Sequence, residues 1–161
     1  MKITTFNDLK LREPITKVLA EMGFEKPTEI QASAIPVLLN TKKDFVGQAQ
    51  TGTGKTAAFA IPLLERIDYD NDCVQALILA PTRELANQVE KEIKKFGKYT
   101  AVKTTCIYGR TGYEAQIRAL RKEKPQGVVG TPGRVIDMIE KNILKLDQAK
   151  FYILDESDEM R

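Results

Sequence analysis

One stretch limits the folds open to this chain: Ala49-Gln50-Thr51-Gly52-Thr53-Gly54-Lys55-Thr56. The short apolar run Phe45-Val46 precedes it, and the alanine-rich segment Ala57-Ala58-Phe59-Ala60-Ile61, of helical character, follows. Strand, glycine-rich turn and helix in that order form a cradle for phosphate. Gly52 and Gly54 allow backbone angles closed to other residues, so successive N–H groups can turn inward around an anion. The helix that follows adds unpaired N–H groups and the positive end of its dipole. Lys55 is then placed to reach the β- and γ-phosphates of a nucleotide, and the Thr56 hydroxyl to coordinate Mg²⁺. The first glycine of the usual G-x-x-x-x-G-K-[ST] pattern is replaced here by Ala49. Gln50, Thr51 and Thr53 complete the turn, making residues 50–56 candidate nucleotide contacts.

Around this loop the pattern alternates. Residues 1–12 read as an arm. Pro14 suits a first helical turn, and Ile15, Val18, Leu19 and Met22 form a stripe that Gly23 ends. Thr28 and Gln31 stand at capping-box spacing before Ile35, Leu38 and Leu39. Strands are expected over 44–48, 74–80, 102–108, 127–130 and 151–154. The intervening helices are expected over about 55–67, from Thr82 through Phe96, over 113–122, and after Thr131-Pro132 with Val135, Ile136 and Ile139 inward. The near-continuous apolar run at 74–80 is the type found when both faces of a sheet are covered. Strand–helix alternation with short connections predicts a parallel, doubly wound α/β sheet with right-handed crossovers. Ligands of such sheets gather at the carboxyl ends of the strands.

Five turns rich in polar residues or glycine fall at those ends. Besides the loop, they are Pro81-Thr82-Arg83-Glu84-Leu85-Ala86, Tyr108-Gly109-Arg110-Thr111-Gly112, Thr131-Pro132-Gly133-Arg134 and Asp155-Glu156-Ser157-Asp158. An apolar strand ending in Asp155-Glu156 is the expected partner of a phosphate loop. Asp155 is placed to hold Mg²⁺ opposite Thr56, and Glu156 to take a proton from an attacking water. Thr82-Arg83 and Thr131-Pro132-Gly133-Arg134 each combine helix N–H groups, a hydroxyl and a guanidinium, which taken alone suit an ordinary helix cap as well as a grip on phosphate oxygens that reads no bases. Gly109 would let a backbone approach, and Arg110 adds charge.

Composition removes several chemistries. The 161 residues contain no histidine, which excludes histidine bases, Ser-His-Asp triads and H-E-x-x-H zinc sites within the chain. Acid–base work falls to carboxylates. The net charge of +3 permits a nucleic-acid partner if the positive groups cluster. No apolar run is long enough for a membrane span, and the N-terminus lacks a signal-peptide core. Cys73 and Cys106 lack metal or redox spacing and read as reduced, structural residues of a cytoplasmic protein. Thr41-Lys42-Lys43-Asp44 has the guanine-reading form [NT]-K-x-D, but it precedes the loop, where a GTPase places it well after. It reads as a helix end leading into a strand.

Gly23-Phe24-Glu25-Lys26-Pro27-Thr28-Glu29-Ile30-Gln31, with Phe6 seventeen residues before Gly23, resembles the Q motif of DEAD-box RNA helicases. The loop, Pro81–Ala86, Thr131–Arg134 and Asp155–Asp158 resemble the family's next motifs in order, so the resemblance spans essentially the whole chain. It implies a RecA-like first domain binding ATP and single-stranded RNA over residues 1–161, with the arm and Q motif in 1–31 and the α/β core in 44–161. It implies further that Gln31 reads the adenine edge, that Phe24 stacks on or packs against the base, and that Arg83, Gly109, Thr131, Gly133 and Arg134 line the RNA backbone. Three positions depart from the family pattern. Ser157 stands for the usual Ala, Arg110 for the second of two glycines, and Arg161 for an apolar residue.

In this family a Ser-Ala-Thr turn and its strand follow the acidic motif, that strand lying between the loop strand and the Asp155 strand. A second RecA-like domain then supplies arginines to the γ-phosphate. The resemblance therefore implies a sheet incomplete at the C-terminus, with an open slot that favours self-association. It also implies that the 161 residues alone bind ATP weakly and hydrolyse little. Two other readings are a non-catalytic ATP-dependent RNA clamp, against which Glu156 stands, and a small-molecule kinase, for which no second substrate site is visible.

Overall fold

The computed structural model describes residues 4–40, 45–50, 55–110 and 112–156, with the backbone alone for 45–50, 55, 155 and 156. The strands are β1 (Phe45–Gln50), β2 (Ala76–Leu79), β3 (Thr104–Ile107), β4 (Gly127–Gly130) and β5 (Phe151–Glu156). Among the described residues they pair in the order β1-β5-β2-β4-β3, every pairing parallel. The helices are α1 (Glu13–Glu21), α2 (Glu29–Asn40), α3 (Lys55–Arg66), α4 (Arg83–Phe96), α5 (Tyr113–Glu123) and α6 (Pro132–Glu140), with a 3₁₀ turn at Phe6–Leu9. The expected α/β sheet with helices on both faces is present. The residue patterns placed each element to within about three residues.

Alternation along the strands divides the core in two. Ala76, Ile78, Val129, Phe151 and Ile153 point to the face covered by α1 to α4. Leu77, Val128, Leu79 and Tyr152 point to the face covered by α5, α6 and Leu144. Successive strand side chains leave on opposite faces, so both faces need cover. In α3 every residue from Ala57 to Leu64 for which burial is given lies within the interior, apolar on all sides. Such a helix belongs between layers; here it lies under α2 and against the sheet. Each fully buried leucine or isoleucine there contributes roughly 1.5–3 kcal/mol. The arm is tied down as well, since the buried Phe6 donates its backbone N–H to Glu25 O at 3.2 Å.

Two expectations need correction. Ile136 and Ile139 do not point inward: they are 54 % and 38 % exposed, while Val135 and Met138 are buried. Four apolar residues at 135, 136, 138 and 139 cover more of a helix than one sheet contact can take. With residues 100° apart, the stripe centred between Val135 and Met138 leaves Ile136 outside. The open slot beside the loop strand is also absent. β1 pairs directly with β5 over six residues, from Phe45↔Phe151 to Gln50↔Glu156. Closing that ladder satisfies backbone groups that a slot would leave unpaired, while β1 remains an edge of the sheet among the described residues. The segments 41–44, 51–54, 111 and 157–161 lie outside the described residues, and with them the [NT]-K-x-D sequence, the centre of the glycine loop, and Ser157 and Arg161.

Gly130 fixes how α6 leaves the sheet. A Cβ there would stand 2.5 Å from Val135 Cγ2, 2.7 Å from Ile107 Cγ1 and 2.9 Å from the Ile107 carbonyl oxygen. The last of these is backbone and cannot step aside. Gly130→Ala should therefore destabilise by about 2 kcal/mol, as overpacked cores do. Denaturant unfolding measures it, and a loss below about 0.5 kcal/mol would show that β3 and α6 are not clamped at this point.

Candidate functional site

Because every described strand runs the same way, their carboxyl ends share one edge. At one side of it, β1 delivers Gln50 into the glycine turn and α3 begins at Lys55. Thr56, half-buried, lies in the first turn of α3. The β1–β5 register sets Asp155 opposite Ala49 and Glu156 opposite Gln50. The acid pair thus leaves the sheet beside the entry to the glycine turn. Thr51, Gly52, Thr53 and Gly54 fall outside the described residues.

The segment before α2 is built from local rules. Gly23, at φ +76°, ends α1, and Phe24 N–H returns to Leu19 O at 2.9 Å. A positive φ at this turn suits glycine. The expected capping box forms: Gln31 N–H donates to Thr28 Oγ1 at 3.3 Å, and Thr28 N–H donates to Gln31 Oε1 at 2.9 Å. Gln31 is 2 % exposed. The Phe24 ring sits between Phe6, at 5.9 Å, and Phe96, edge-on at 5.7 Å. Both candidate base-contacting residues are therefore held by the protein's own packing.

Toward the other side of the sheet, the arginines are mounted on aromatic rings. Thr82 caps α4 by accepting the Leu85 N–H at 3.2 Å. The Arg83 guanidinium stands 5.0 Å from the centre of the Tyr108 ring, and that of Arg134 stands 4.7 Å from the Tyr113 ring. Such contacts hold a cation while leaving donors available. Thr131, at the N-cap of α6, makes no side-chain capping bond. Among the described residues, Gly109 and Gly133 would meet no atom within 4 Å if given a Cβ. The packing of the described residues therefore does not require glycine at either place. Arg110 takes a left-handed φ of +77°.

One residue in this cluster was not singled out by pattern. Gln116, buried in the first turns of α5, donates Nε2–H to Tyr108 O at 3.0 Å and accepts Tyr108 N–H at Oε1, 3.3 Å. The same Oε1 accepts Arg134 Nη1–H at 2.9 Å. A glutamine four residues beyond a glycine cap has no periodicity to announce it; its only signal is a polar residue where the helix turns inward.

The titratable neighbours are consistent with a structural surround. The Tyr113 hydroxyl, and Lys141 beside it, hold Asp137 below the usual carboxylate range. Its stabilising contribution is present above the ordinary carboxylate pKa and is lost as pH falls through the lowered value. Burial, with Glu90 nearby, pushes the Cys106 thiol up to about 12, and its S–H donates to Ala86 O at 3.4 Å. Cys73, raised mainly by burial, donates to Gln148 Oε1 at 3.2 Å. Neither is poised as a thiolate at neutral pH. Among the described residues no His, Cys, Asp and Glu cluster could hold a metal, and no helix is long and apolar enough to cross a membrane.

A non-glycine residue in the left-handed region costs roughly 1–2 kcal/mol. Arg110→Gly should therefore raise stability by about 1 kcal/mol, visible as a higher unfolding midpoint. An unchanged or lower midpoint would mean that the arginine's contacts compensate the backbone cost.

Known proteins are similar to this chain in sequence and fold. The model of the DEAD/DEAH box helicase family matches residues 28–161. The DEAD-box ATP-dependent RNA helicase CshA of Geobacillus kaustophilus is 51 % identical over 158 residues, covering 98 % of this chain and 33 % of its own. RNA helicase CrhR of Synechocystis is 52 % identical over 157 residues, covering 98 % and 31 %. This chain thus spans about a third of the length of these curated relatives. Among solved structures, a DEAD box protein from the hyperthermophile Methanococcus jannaschii superposes with a TM-score of 0.89 at 46 % identity, over 99 % of this chain and 43 % of that one. S. cerevisiae Dbp5 bound to RNA and ADP BeF3 gives 0.80 at 34 % identity, over 95 % and 38 %. With the family model covering most of its length, the chain belongs to the DEAD/DEAH box helicases.

Proposed function

We propose that this chain is the ATP- and RNA-binding N-terminal part of an ATP-dependent RNA helicase, in which RNA-stimulated ATP hydrolysis drives local unwinding of RNA duplexes. The observation that carries the reading is the β1–β5 register, which sets Asp155 opposite Ala49 and Glu156 opposite Gln50, at the end of β1 from which the glycine-rich sequence continues. The names of the relatives, and a Dbp5 structure with RNA and ADP BeF3, support the same substrates.

In this reading residues 50–56 wrap the phosphates, and Lys55 neutralises charge on the β- and γ-oxygens. The Thr56 hydroxyl and the Asp155 carboxylate are hard oxygen donors of the kind magnesium prefers, so these two would hold Mg²⁺. The ion would supply further neutralisation of the phosphate oxygens. Glu156 accepts the proton of the attacking water and aims it at the γ-phosphorus. Gln31, carrying both a donor and an acceptor, takes the adenine edge beside Phe24.

Thr82, Arg83, Gly109, Arg110, Thr131, Gly133 and Arg134 contact the sugar–phosphate backbone, giving binding that is blind to sequence. The open space over Gly109 and Gly133 supports this reading, since it leaves room for an incoming backbone. A second RecA-like domain supplies the arginines that complete the γ-phosphate site, an effect worth about 10³–10⁵ in rate. Residues 1–161 alone should then hydrolyse ATP negligibly. The protein works in the cytoplasm.

The test uses the full-length protein. Lys55→Ala should abolish RNA-stimulated hydrolysis, and Glu156→Gln should lower kcat by about 10²-fold or more while ATP still binds. Absence of single-turnover hydrolysis in the parental protein would instead favour a clamp that binds ATP without consuming it, while parental turnover in the Glu156→Gln protein would remove the role given to Glu156. A preference for GTP in competition would remove the role given to Gln31.

A further inference from the structure

The three arginines of the strand-end edge sit on three separate connections, after β2, β3 and β4. Two of them, Arg83 and Arg134, are joined through Tyr108 and Gln116. Tyr108 carries Arg83 on its ring and has both of its backbone groups taken by the Gln116 amide. That amide continues the pairing of β3 beyond Ile107, the residue whose carbonyl accepts Thr131 N–H at 3.0 Å. The Gln116 oxygen then receives Arg134, whose guanidinium also lies over Tyr113. Arg83, Tyr108, Gln116, Arg134 and Tyr113 therefore form one continuous chain of contacts across the edge.

We infer that Gln116 is a positioning residue for RNA: it sets the direction in which Arg134 presents its guanidinium to a phosphate. The inference rests on the reading of this edge as an RNA surface. The chemistry of the side chain explains the choice. With its N–H fixed on the Tyr108 carbonyl, the amide can present only oxygen to Arg134, so the orientation admits no flip. A guanidinium has five N–H donors, and one held by Gln116 leaves the others for phosphate. A neutral oxygen binds the arginine without cancelling its charge. A carboxylate in the same place would compete with the phosphate and face the Tyr108 carbonyl with no proton to give.

The test is Gln116→Met in the full-length helicase, a neutral side chain of similar length that makes no such bonds. Affinity for a single-stranded oligonucleotide is measured across a range of salt concentrations. Loss of one ordered phosphate contact should weaken binding by about tenfold and flatten the slope of log K against log salt by roughly 0.7. A purely structural defect lowers the fraction of active protein and leaves that slope unchanged. Arg134→Met completes a double-mutant cycle, in which Gln116→Met should cost nothing further once Arg134 is gone. Gln116→Glu should bind more weakly than Gln116→Met. A parental slope in Gln116→Met, or losses that multiply in the cycle, would overturn the inference while leaving the RNA surface intact. If the parental helicase binds no RNA, the surface reading fails and the role of Gln116 falls with it.

Discussion

Parallel pairing of β5 between β1 and β2 is the constraint on which the rest depends. A parallel strand sends its carboxyl end to the same edge as its neighbours, so each βα connection begins on that edge. The glycine turn leaves β1, the acid pair ends β5, and the arginine-bearing turns leave β2, β3 and β4. If β5 ran the other way, Asp155 would lie at the far end from Lys55, and no side-chain choice would bring them together. The sheet must be apolar on both faces to be covered in this manner. The division of Ala76, Ile78 and Val129 from Leu77, Leu79 and Val128 into two clusters shows that it is.

Glycine and its replacement mark where the protein's own packing ends. Gly130 is needed internally, because β3 and α6 close on the space where its side chain would be. Gly109 and Gly133 answer to no close neighbour among the described residues. Arg110 goes further, holding a left-handed backbone that ordinarily favours glycine and adding a guanidinium at the edge. Backbone strain of this kind persists where the surroundings fix the turn. Here Gln116 fixes it from one side, by gripping both backbone groups of Tyr108, and the glycine cap of α5 at Gly112 (φ +67°) from the other.

Local signals in the residues carried much of this. The capping box at Thr28 and Gln31, the cap at Thr82 and the stop at Gly23 are short-range hydrogen-bonding rules, and all three appear as read. Alternation of apolar strands and amphipathic helices placed the turns on one edge for the same reason. What pattern did not reveal depends on contacts between elements. The rotation of α6 is settled by what Val135 and Met138 touch, while Ile136 is equally apolar. Direct pairing of β1 with β5 is a matter of which ladder closes, which no single segment encodes. The Gln116 clamp joins residues from three connections, and only folding brings those together.

The aromatic contacts tie the two ends of this arrangement into one body. α4 is 14 residues long, or about 21 Å at 1.5 Å per residue. Its first turn carries Arg83 to the strand-end edge, and its last residue, Phe96, packs against Phe24 in the turn that leads to Gln31. Phe6 of the arm closes the other side of Phe24. Because interiors are packed at crystal-like density, a change in the Phe24 turn cannot be absorbed in loose space. It must be taken up by α4 or by the arm. The arm is held to this turn by the Phe6 N–H to Glu25 O bond and the Phe6–Phe24 ring contact, and Phe6 shares the main core with Ala86, Val89 and Ile93 of α4. Packing on Phe24 thus links the turn before Gln31 both to the arm and to the helix that carries Arg83.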